Sequence, residues 1–500
     1  MLRTSMQSGA RLVVIAKVLF PLKGNTNLIQ VSSDAQYISR RQLQTCAVDL
    51  QCSSMGSFKP LAEREVPIRN VGLRKAKHKI RCYLWGGTHS GALGCDHFVR
   101  PLKKHLKPRE DRCNPYRLRF SATNRVFRIA CGNGFTVFGA KPEDTACKYR
   151  VFGTGINKDS QIGLQQARRD APMELLTQPV PIILPESGSF DHLDVNTRNT
   201  AIENGSKAPF WSPILSLGAG RAHTVIVTSD AVYTLGNNSL GQCGRPIIEN
   251  ESYFGRDLLH RVEGDGLNNV VKTVCGLDHT FFLTASGKVF ACGWGADGQT
   301  GLGHYKTVGI PQEVGGDISG ERIVLLSSRA DCVLALNEKG DLFGWGNNEY
   351  GQLLGATKEM QLHTPKHIKL NKKLKGAAAG GSACVVLDEN GQVFSWGYGV
   401  LGLGPKVEHS RNPRLIPPPL FGANELNPDS VPVRLEAGMA NFAAVTNRGH
   451  LYTWGRNNNG SLGLGHTKSQ MFPLMVTIAA QVRDISMGVD HTAVITQSFC

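Results

Sequence analysis

The chain has 500 residues, of which 41% are hydrophobic, so it is long enough and apolar enough to bury a large core, and its 56 glycines follow no Gly-X-Y period, which excludes a collagen-like fibre. Its formal net charge of +16 would suggest nucleic-acid binding if it were spread evenly. Residues 1–128 hold 24 Lys and Arg against 7 Asp and Glu, whereas residues 129–500 hold 32 against 33, and this excludes a basic surface over the whole protein.

The first segment, residues 1–45, is predicted to be a mitochondrial transit peptide, with its exact boundary open. Positions 1–33 contain no acidic residue, and an apolar stretch runs from Leu12 to Leu22, a composition typical of such peptides. The basic residues of this segment's first 33 positions are Arg3, Arg11, Lys17 and Lys23. A secretory signal is the alternative, but Lys17 interrupts the apolar run. No apolar run in the chain reaches the ~20 residues of a membrane span, so we expect no transmembrane segment.

Residues 46–81 are predicted to be a basic linker, and a second basic cluster follows between Arg100 and Arg119. The candidate phosphate contacts are Arg74, Lys75, Lys77, Lys79, Lys103, Lys104 and Lys107. Aromatic residues near the second cluster are few, Tyr116 and Phe120, so support for base stacking with single-stranded RNA is thin. A solvated loop, contact with RNA and contact with an acidic membrane surface are all open at this point.

A repeat begins after the linker, and its unit is plainest between Val274 and His304. The unit has two boxes. The first is Gly-x-x-His followed by an apolar strand, as at Gly276–His279, and the second is an aromatic strand ending in Trp-Gly or an equivalent pair, as at Cys292-Gly293, followed by further glycines. Strand-like runs joined by Gly- or Asn-bearing turns predict a four-stranded unit of about 50 residues.

Both boxes occur seven times. The second boxes are Trp85-Gly86, Phe152-Gly153, Leu235-Gly236, Cys292-Gly293, Trp345-Gly346, Trp396-Gly397 and Trp454-Gly455. The first boxes are Gly132–Phe135, Gly220–His223, Gly276–His279, Arg329–Cys332, Gly381–Cys384, Gly438–Asn441 and Gly488–His491.

The order of the boxes predicts how the repeat array ends. The array opens with an unpaired second box and closes with an unpaired first box, so the two complete one unit if the array is a ring. A ring lets the strand at Tyr83–Trp85 pair with the strand at Thr492–Thr496 and removes exposed edges. The sequence therefore predicts an all-β protein, a seven-bladed β-propeller over residues 82–500 closed by its N-terminal and C-terminal strands, with insertions at about 97–125 and 165–213.

The box residues have structural interpretations. We expect the glycines that follow the Trp position of the second box to provide positive φ or close backbone approach in a tight turn near the ring's axis. We expect the tryptophans to fill the wedges between blades and the box histidines to satisfy backbone groups in a turn. Five cysteines in apolar strand-like stretches are expected to be small buried hydrophobes, since no Cys-x-x-Cys pair occurs. These are Cys131, Cys275, Cys292, Cys332 and Cys384.

Nucleotide-binding motifs are weak in this sequence. Gly293–Gly298 satisfies Gly-x-Gly-x-x-Gly, but a dinucleotide fingerprint must open a helix, and here further glycines follow. No Gly-Lys-Ser or Gly-Lys-Thr of a P-loop is present either. We therefore predict no bound cofactor, no metal and no catalytic residues, which leaves enzymatic activity uncertain.

The paired boxes resemble the regulator-of-chromosome-condensation repeat family and differ from the Trp-Asp repeats of other propellers. Three segments are similar to a mitochondrial subfamily: Ile156–Gly163, Leu235–Gly244 and Cys292–Tyr305. The resemblance implies a protein-binding propeller, proposed in this subfamily to be a guanine-nucleotide exchange factor for a dynamin-like fusion GTPase of the inner membrane. The alternative that it implies is a role in mitochondrial ribosomal RNA modification or ribosome assembly.

The resemblance also implies where partners would bind. The founding family member uses an inserted wedge from one blade, but the insertion Gln165–Pro213 does not align with that wedge, and a solvated loop is its alternative interpretation. The candidate partner contacts lie in the turns after the second boxes. They are Lys158, Asp159, Asp297, His304, Tyr305, Asn347, Tyr350 and Arg456. The expected location is the matrix or the inner-membrane surface, with peripheral membrane association as one option.

Overall fold

The computed structural model describes residues 80–101, 107–142, 150–168, 171–185 and 212–498. The chain divides into two units, Met1–Arg74 and Lys75–Cys500, and every described residue belongs to the second. The predicted transit peptide and most of the basic linker lie outside the described residues.

The described part of the second unit contains thirty strands. In chain order they are β1 (Ile80–Gly87), β2 (Asp111–Arg117), β3 (Asn124–Cys131), β4 (Phe135–Pro142), β5 (Val151–Ile156), β6 (Gln166–Arg168), β7 (Ala171–Pro172), β8 (Leu175–Ile182), β9 (Ile214–Ala219), β10 (His223–Thr228), β11 (Val232–Gly236), β12 (His260–Val262), β13 (Val270–Cys275), β14 (His279–Thr284), β15 (Val289–Gly293), β16 (Val308–Glu313), β17 (Ile323–Ser328), β18 (Cys332–Asn337), β19 (Leu342–Asn347), β20 (Gln361–Ile368), β21 (Leu374–Ala379), β22 (Ala383–Asp388), β23 (Val393–Tyr398), β24 (His409–Ile416), β25 (Pro432–Ala437), β26 (Asn441–Thr446), β27 (Leu451–Gly455), β28 (Gln470–Met475), β29 (Gln481–Met487) and β30 (His491–Gln497).

Helices are short and few among the described residues. They are the α-helix α1 (Asp96–Val99) and the 3-10 helices Arg119–Ala122, Gly316–Ile318 and Pro418–Phe421. No helix in the described ranges has the length and hydrophobicity needed to span a bilayer.

Seven four-stranded antiparallel sheets form the blades of the propeller, which confirms the predicted fold. Blade 1 has the order β29-β30-β1-β2 from the axis outward, blade 2 has β3-β4-β5-β8, and blades 3 to 7 each take four consecutive strands from β9 to β28. The innermost strands, β3, β9, β13, β17, β21, β25 and β29, contact one another in turn around a central channel.

The ring closes in blade 1 as the unpaired boxes predict. β1 pairs antiparallel with β30, with Tyr83 opposite Val494, Leu84 opposite Ala493 and Trp85 opposite Thr492. The first described strand of the chain therefore lies between the last strand and β2. Blade 1 therefore combines two strands from the start of the repeat array with two strands from its end.

The strands at the middle and at the rim of each blade differ in sequence for a physical reason. A middle strand such as β10 is buried along its whole length and is rich in β-branched residues. An outer strand such as β8, with the sequence LLTQPVPI, has one unpaired edge and carries prolines and polar residues. Each predicted insertion contains such an outer strand, because β2 lies within 97–125 and β8 within 165–213.

The structure corrects the position of two predicted boxes. In blade 2 the glycine that pairs with the first box is Gly155, which has φ of 114° and lies opposite Phe135, so the second box is Thr154-Gly155 and not Phe152-Gly153. In blade 6 Gly397 pairs with Ala383, so the first box is Gly380–Ala383 and not Gly381–Cys384. The Gly380 amide donates to the Ala383 carbonyl at 2.9 Å, as the first and last residues of the other glycine-led boxes do.

The hydrophobic core consists of seven clusters, one in each wedge between neighbouring blades. The four box tryptophans are fully buried in these wedges, as predicted. The indole Nε1 of Trp345 donates to the Gln299 carbonyl of the preceding blade at 2.8 Å, and Trp85 and Trp396 make the same bond. Trp454 Nε1 has no partner, because the turn of blade 6 before it is three residues shorter: Gly402 follows Gly397 by five positions, whereas Gly301 follows Gly293 by eight.

The five cysteines of the strand-like stretches are buried free thiols, which confirms their expected role. The expected position of the second-box glycines is partly wrong. Gly298 has φ of 76°, but its turn lies between the third and fourth strands of blade 4, away from the axis, and a Cβ there would meet the Leu362 carbonyl of blade 5 at 2.7 Å. No helix follows Gly293–Gly298, so this segment is a turn and not a dinucleotide fingerprint.

Candidate functional site

All seven first boxes and the turns after the third strands lie on one side of the ring, which we call the turn face. The geometry requires this, because the first and third strands of an antiparallel blade run in the same direction and end on the same side. The candidate partner contacts therefore share one face. They are distributed over blades 2, 4, 5 and 7.

Two side chains fix the shape of the turn after the third strand in blades 2, 3 and 5. In blade 2, Asn157 Oδ1 accepts from the Ile162 amide at 2.8 Å, and Gln161 Oε1 accepts from the Asp159 amide at 3.0 Å. The equivalent pairs in blades 3 and 5 are Asn238 with Gln242 and Asn348 with Gln352. Because these amides satisfy buried backbone groups, the turns present their outward side chains on a rigid support.

The predicted contacts in blade 2 pair locally. Lys158 Nζ lies 3.9 Å from the Glu174 carboxylate, and both side chains are mostly exposed, so this ion pair contributes little to stability. Asp159 Oδ1 accepts from Asn237 Nδ2 of blade 3 at 2.8 Å. Asp159 therefore joins two neighbouring turns.

The predicted contacts in blades 4 and 5 are brought together. Asp297 Oδ1 accepts from Gln361 Nε2 of blade 5 at 2.5 Å, and Tyr305 packs edge-on against His363 with ring centroids 4.8 Å apart. Tyr350 of blade 5 stacks on Tyr398 of blade 6 at 5.1 Å. The turn face is therefore continuous across blades 4, 5 and 6.

Of the three remaining predicted contacts, His304 and Asn347 make hydrogen bonds within their own turns, and Arg456 lies on a blade outside this continuous surface. His304 Nδ1 accepts from the Lys306 amide at 3.2 Å, and Asn347 Oδ1 accepts from the Glu349 amide at 3.1 Å. Arg456 is exposed on blade 7. Asn347 therefore has an evident structural role.

Two exposed aromatic residues of the turn face were missed from the sequence. Trp294 is 36% exposed and Tyr398 is 41% exposed, and each is the residue directly after a second-box glycine. This position points outward from the turn face in blades 4 and 6. An aromatic residue directly after the second-box glycine is the sequence signal that identifies both residues.

The box histidines join blades, and the prediction that they satisfy backbone groups is wrong. His223 Nε2 lies 3.0 Å from Thr280 Oγ1 and His279 Nε2 lies 2.9 Å from Ser328 Oγ, each in the next blade. Both hydroxyls donate to carbonyls, so the histidines donate to them. Burial lowers the pKa of His223 to about 3 and that of His279 to about 4, which keeps both rings neutral.

His491 differs in charge from the other two. Its Nε2 lies 2.7 Å from Thr136 Oγ1, which itself donates to the Ala92 carbonyl, and its Nδ1 lies 2.8 Å from Asp490 Oδ1, so both ring nitrogens donate. Burial by itself would lower the pKa of His491, but Cys131 and the Asp490 carboxylate raise it to about 10. The equivalent carboxylate in blade 4, Asp278, pairs instead with Arg221 at 2.7 Å.

The basic cluster is described only in part. Of the candidate phosphate contacts, Lys107 is described and exposed, and Arg74, Lys75, Lys77, Lys79, Lys103 and Lys104 lie outside the described residues. Arg109 lies over the Phe98 ring at 5.7 Å, and Phe98 packs edge-on against Tyr116 at 5.0 Å. The outer edge of blade 1 therefore combines cations with two aromatic rings.

Comparison with known proteins agrees with this architecture. Residues 81–494 match the family described as the RCC1-like domain. The chain is 40% identical over 448 residues to the RCC1-like G exchanging factor-like protein of Mus musculus, covering 88% of this chain and 92% of that one. The crystal structure of human WBSCR16 is 39% identical, with a TM-score of 0.74 and coverage of 84% and 100%. Yeast RCC1 (Prp20) bound to Kap60 is 19% identical, with a TM-score of 0.62 and coverage of 85% and 90%, and shares the fold.

Proposed function

Because the chain belongs to the family of RCC1-like propellers that includes the G exchanging factor-like proteins, we propose that it acts in mitochondria as a guanine-nucleotide exchange factor. The proposed partner is a dynamin-like fusion GTPase at the inner membrane, with the propeller in the matrix or peripherally bound to that membrane. The composition of residues 1–45 supports the mitochondrial location.

The continuous turn face over blades 4 to 6 is the observation that carries this proposal. An exchange factor needs no nucleophile, since it works by binding the nucleotide-free GTPase more tightly than the loaded one. That task requires a surface that keeps its shape while the partner changes. Trp294 and Tyr398 supply large, exposed aromatic area, and Tyr398 stacks on Tyr350. The turn that carries Tyr350 is held by the buried amides of Asn348 and Gln352, which lowers the entropy cost of binding.

Release of labelled GDP from purified mitochondrial GTPases, each mixed with the full chain, tests the exchange activity. We expect acceleration of at least one dynamin-like GTPase. The double variant Trp294→Ala, Tyr398→Ala should lower the second-order rate constant by at least about 30-fold, because the loss of even one central aromatic anchor costs about 2 kcal/mol. Leu415→Ala is the matched control, since Leu415 is equally exposed, at 40%, on the outer strand β24.

Two outcomes would contradict the proposal. If no mitochondrial GTPase releases GDP faster with the wild-type chain, exchange is refuted. If exchange occurs but the aromatic double variant matches Leu415→Ala, another surface binds the GTPase and the turn face is not the site.

A second candidate function, in mitochondrial ribosomal RNA modification or ribosome assembly, is favoured by the outer edge of blade 1. Arg109, Phe98 and Tyr116 combine charge with ring faces, which is the combination that binds unpaired bases. Crosslinking in intact mitochondria, with and without ribonuclease, measures this contact. Reversing Lys107, Arg109 and Arg117 to Glu should abolish RNA crosslinks, whereas reversing the exposed Lys358, Lys366 and Lys369 should not. Unchanged crosslinks in the first variant would exclude this edge as an RNA contact.

A further inference from the structure

The central channel carries a net positive charge of its own. It encloses a cavity of about 500 Å³ lined by the innermost strand of every blade. Five cations line it against two carboxylates. The cations are Arg128, Lys272, Arg329, Lys375 and Arg434, and the carboxylates are Glu436 and Asp484.

The charges are concentrated at one level of the channel. The residue four positions before each first box faces the channel, and these seven residues form one layer: Arg128, Ser216, Lys272, Leu325, Gly376, Arg434 and Asp484. Three of the seven are cations and one is an acid. Ser216 has a small side chain and Gly376 has none, which leaves space in this layer of the channel.

Most of the charged groups in the channel are already paired. Arg434 Nη2 lies 2.6 Å from Asp484 Oδ1, and Arg329 Nη2 lies 3.8 Å from Glu436 Oε1. Within the described residues Lys272 Nζ makes no hydrogen bond and no ion pair. Lys272 is exposed to the channel, whose walls desolvate the ammonium and lower its pKa; Glu436 opposes this shift, Arg434 adds to it and Asp484 opposes it.

Arg329 obstructs one end of the channel. It occupies the position that is glycine in the other six first boxes, and its side chain crosses the axis to two blades that do not adjoin its own. Its Nη1 donates to the Cys131 carbonyl at 3.3 Å and its Nε to the Ala437 carbonyl at 3.4 Å. A ligand would therefore enter from the side opposite the turn face, where Lys375 lies.

We propose that the central channel binds a small phosphate-bearing anion at the layer formed by Arg128, Lys272 and Arg434. The cavity volume is in the range of small-ligand sites and greatly exceeds the ~30 Å³ of one water molecule. A phosphate would give Lys272 a directly bonded anionic partner and would accept hydrogen bonds from several cations at once. This inference does not depend on the proposed exchange function, since the site lies inside the ring and not on the turn face.

Calorimetric titration of the full chain at constant ionic strength, in chloride buffer, tests the site with three probes: inorganic phosphate, pyrophosphate and AMP. We expect saturable binding of one equivalent of at least one probe, and the tightest probe identifies whether the source is free phosphate, a diphosphate or a nucleotide. Lys272→Met should weaken binding by about 10-fold to 100-fold, the loss of one charge-assisted hydrogen bond. Lys369→Met is the control and should bind as the wild type does, because Lys369 is exposed directly after β20, the outer strand of blade 5, far from the channel.

Asp484→Asn provides a variant that acts in the opposite direction. It removes one of the two carboxylates of the channel while keeping its size, so the anion should bind several-fold more tightly. A damaged channel cannot produce this gain. The proposal is overturned if no probe saturates, if Lys272→Met binds as tightly as the wild type, or if Asp484→Asn and Lys272→Met lose binding alike.

Discussion

The charged state of His491 predicts an unusual pH dependence of stability, and Asp490→Asn is the change that exposes it. The pKa of His491 is about 10 in the folded protein and about 6.5 in the unfolded chain. A raised pKa means that the stabilisation is fully present below pH 6.5 and is lost as the pH rises toward 10, because the unfolded state releases its proton first.

The size of the effect follows from these two pKa values. Linkage gives a loss of free energy of unfolding of about 1 kcal/mol per pH unit within this window, and about 2–3 kcal/mol between pH 7 and pH 9. In Asp490→Asn the carboxylate that accepts from His491 Nδ1 is gone, so the pKa of His491 falls, while the contribution of Cys131 remains. The free energy of unfolding of this variant should therefore decline less over this pH range.

Urea unfolding at pH 7, 8 and 9 measures the difference. The cost of Asp490→Asn should be greatest at pH 7 and should shrink by up to about 2–3 kcal/mol at pH 9. Asp278→Asn is the matched control, because Asp278 occupies the same box position but pairs with Arg221, beside a neutral histidine. Its cost should not change over this range. Equal pH dependence of the wild type and Asp490→Asn would refute a charged His491.

Two further predictions compare related positions in the repeat. Trp345→Phe should cost about 1–3 kcal/mol more free energy of unfolding than Trp454→Phe. The first change leaves the buried Gln299 carbonyl without its donor, whereas the Trp454 indole has no partner to lose among the described residues. Equal costs in urea unfolding would contradict this role of the bond. Gly293→Ala should lower the free energy of unfolding by more than about 3 kcal/mol, since the added Cβ would lie 2.5 Å from backbone atoms of the neighbouring strand. Gly303→Ala should lower it by only ~1–2 kcal/mol, the cost of positive φ, because no atom lies within 4 Å of the added Cβ. Thermal unfolding of the two glycine variants measures this difference, and similar midpoints would disprove it.

The sequence predicts the ring well because closure is a matter of order along the chain. The array begins with an unpaired second box, Trp85-Gly86, and ends with an unpaired first box, Gly488–His491. Together they make one complete unit, and this can be inferred without knowledge of any contact. The outer strands are harder to predict. β2 and β8 contain proline and polar residues, since one edge of each is unpaired, so they read as insertions.

The boxes of blades 2 and 6 were misplaced because the repeat has lost its diagnostic residues there. Phe152-Gly153 imitates an aromatic-glycine pair two residues before Thr154-Gly155, and the backbone ladder, not the side chain, identifies the right glycine. The charge of His491 was equally out of reach. It depends on whether the preceding carboxylate is engaged by a cation from another blade, as Asp278 is by Arg221, and repeat patterns carry no such information.

Closure in blade 1 also determines how the ring responds to mechanical force. Ile80 lies opposite Gln497, so the segments that precede β1 and follow β30 leave the propeller at the same end of the same ladder. Force applied along these two segments loads the seven residue pairs one after another, as in unzipping, and not all together, as in shear. An unfolding machine that grips either segment would therefore open blade 1 first and at low force. The other six blades, each of which takes its strands from one stretch of the chain, would yield only after the ring had opened.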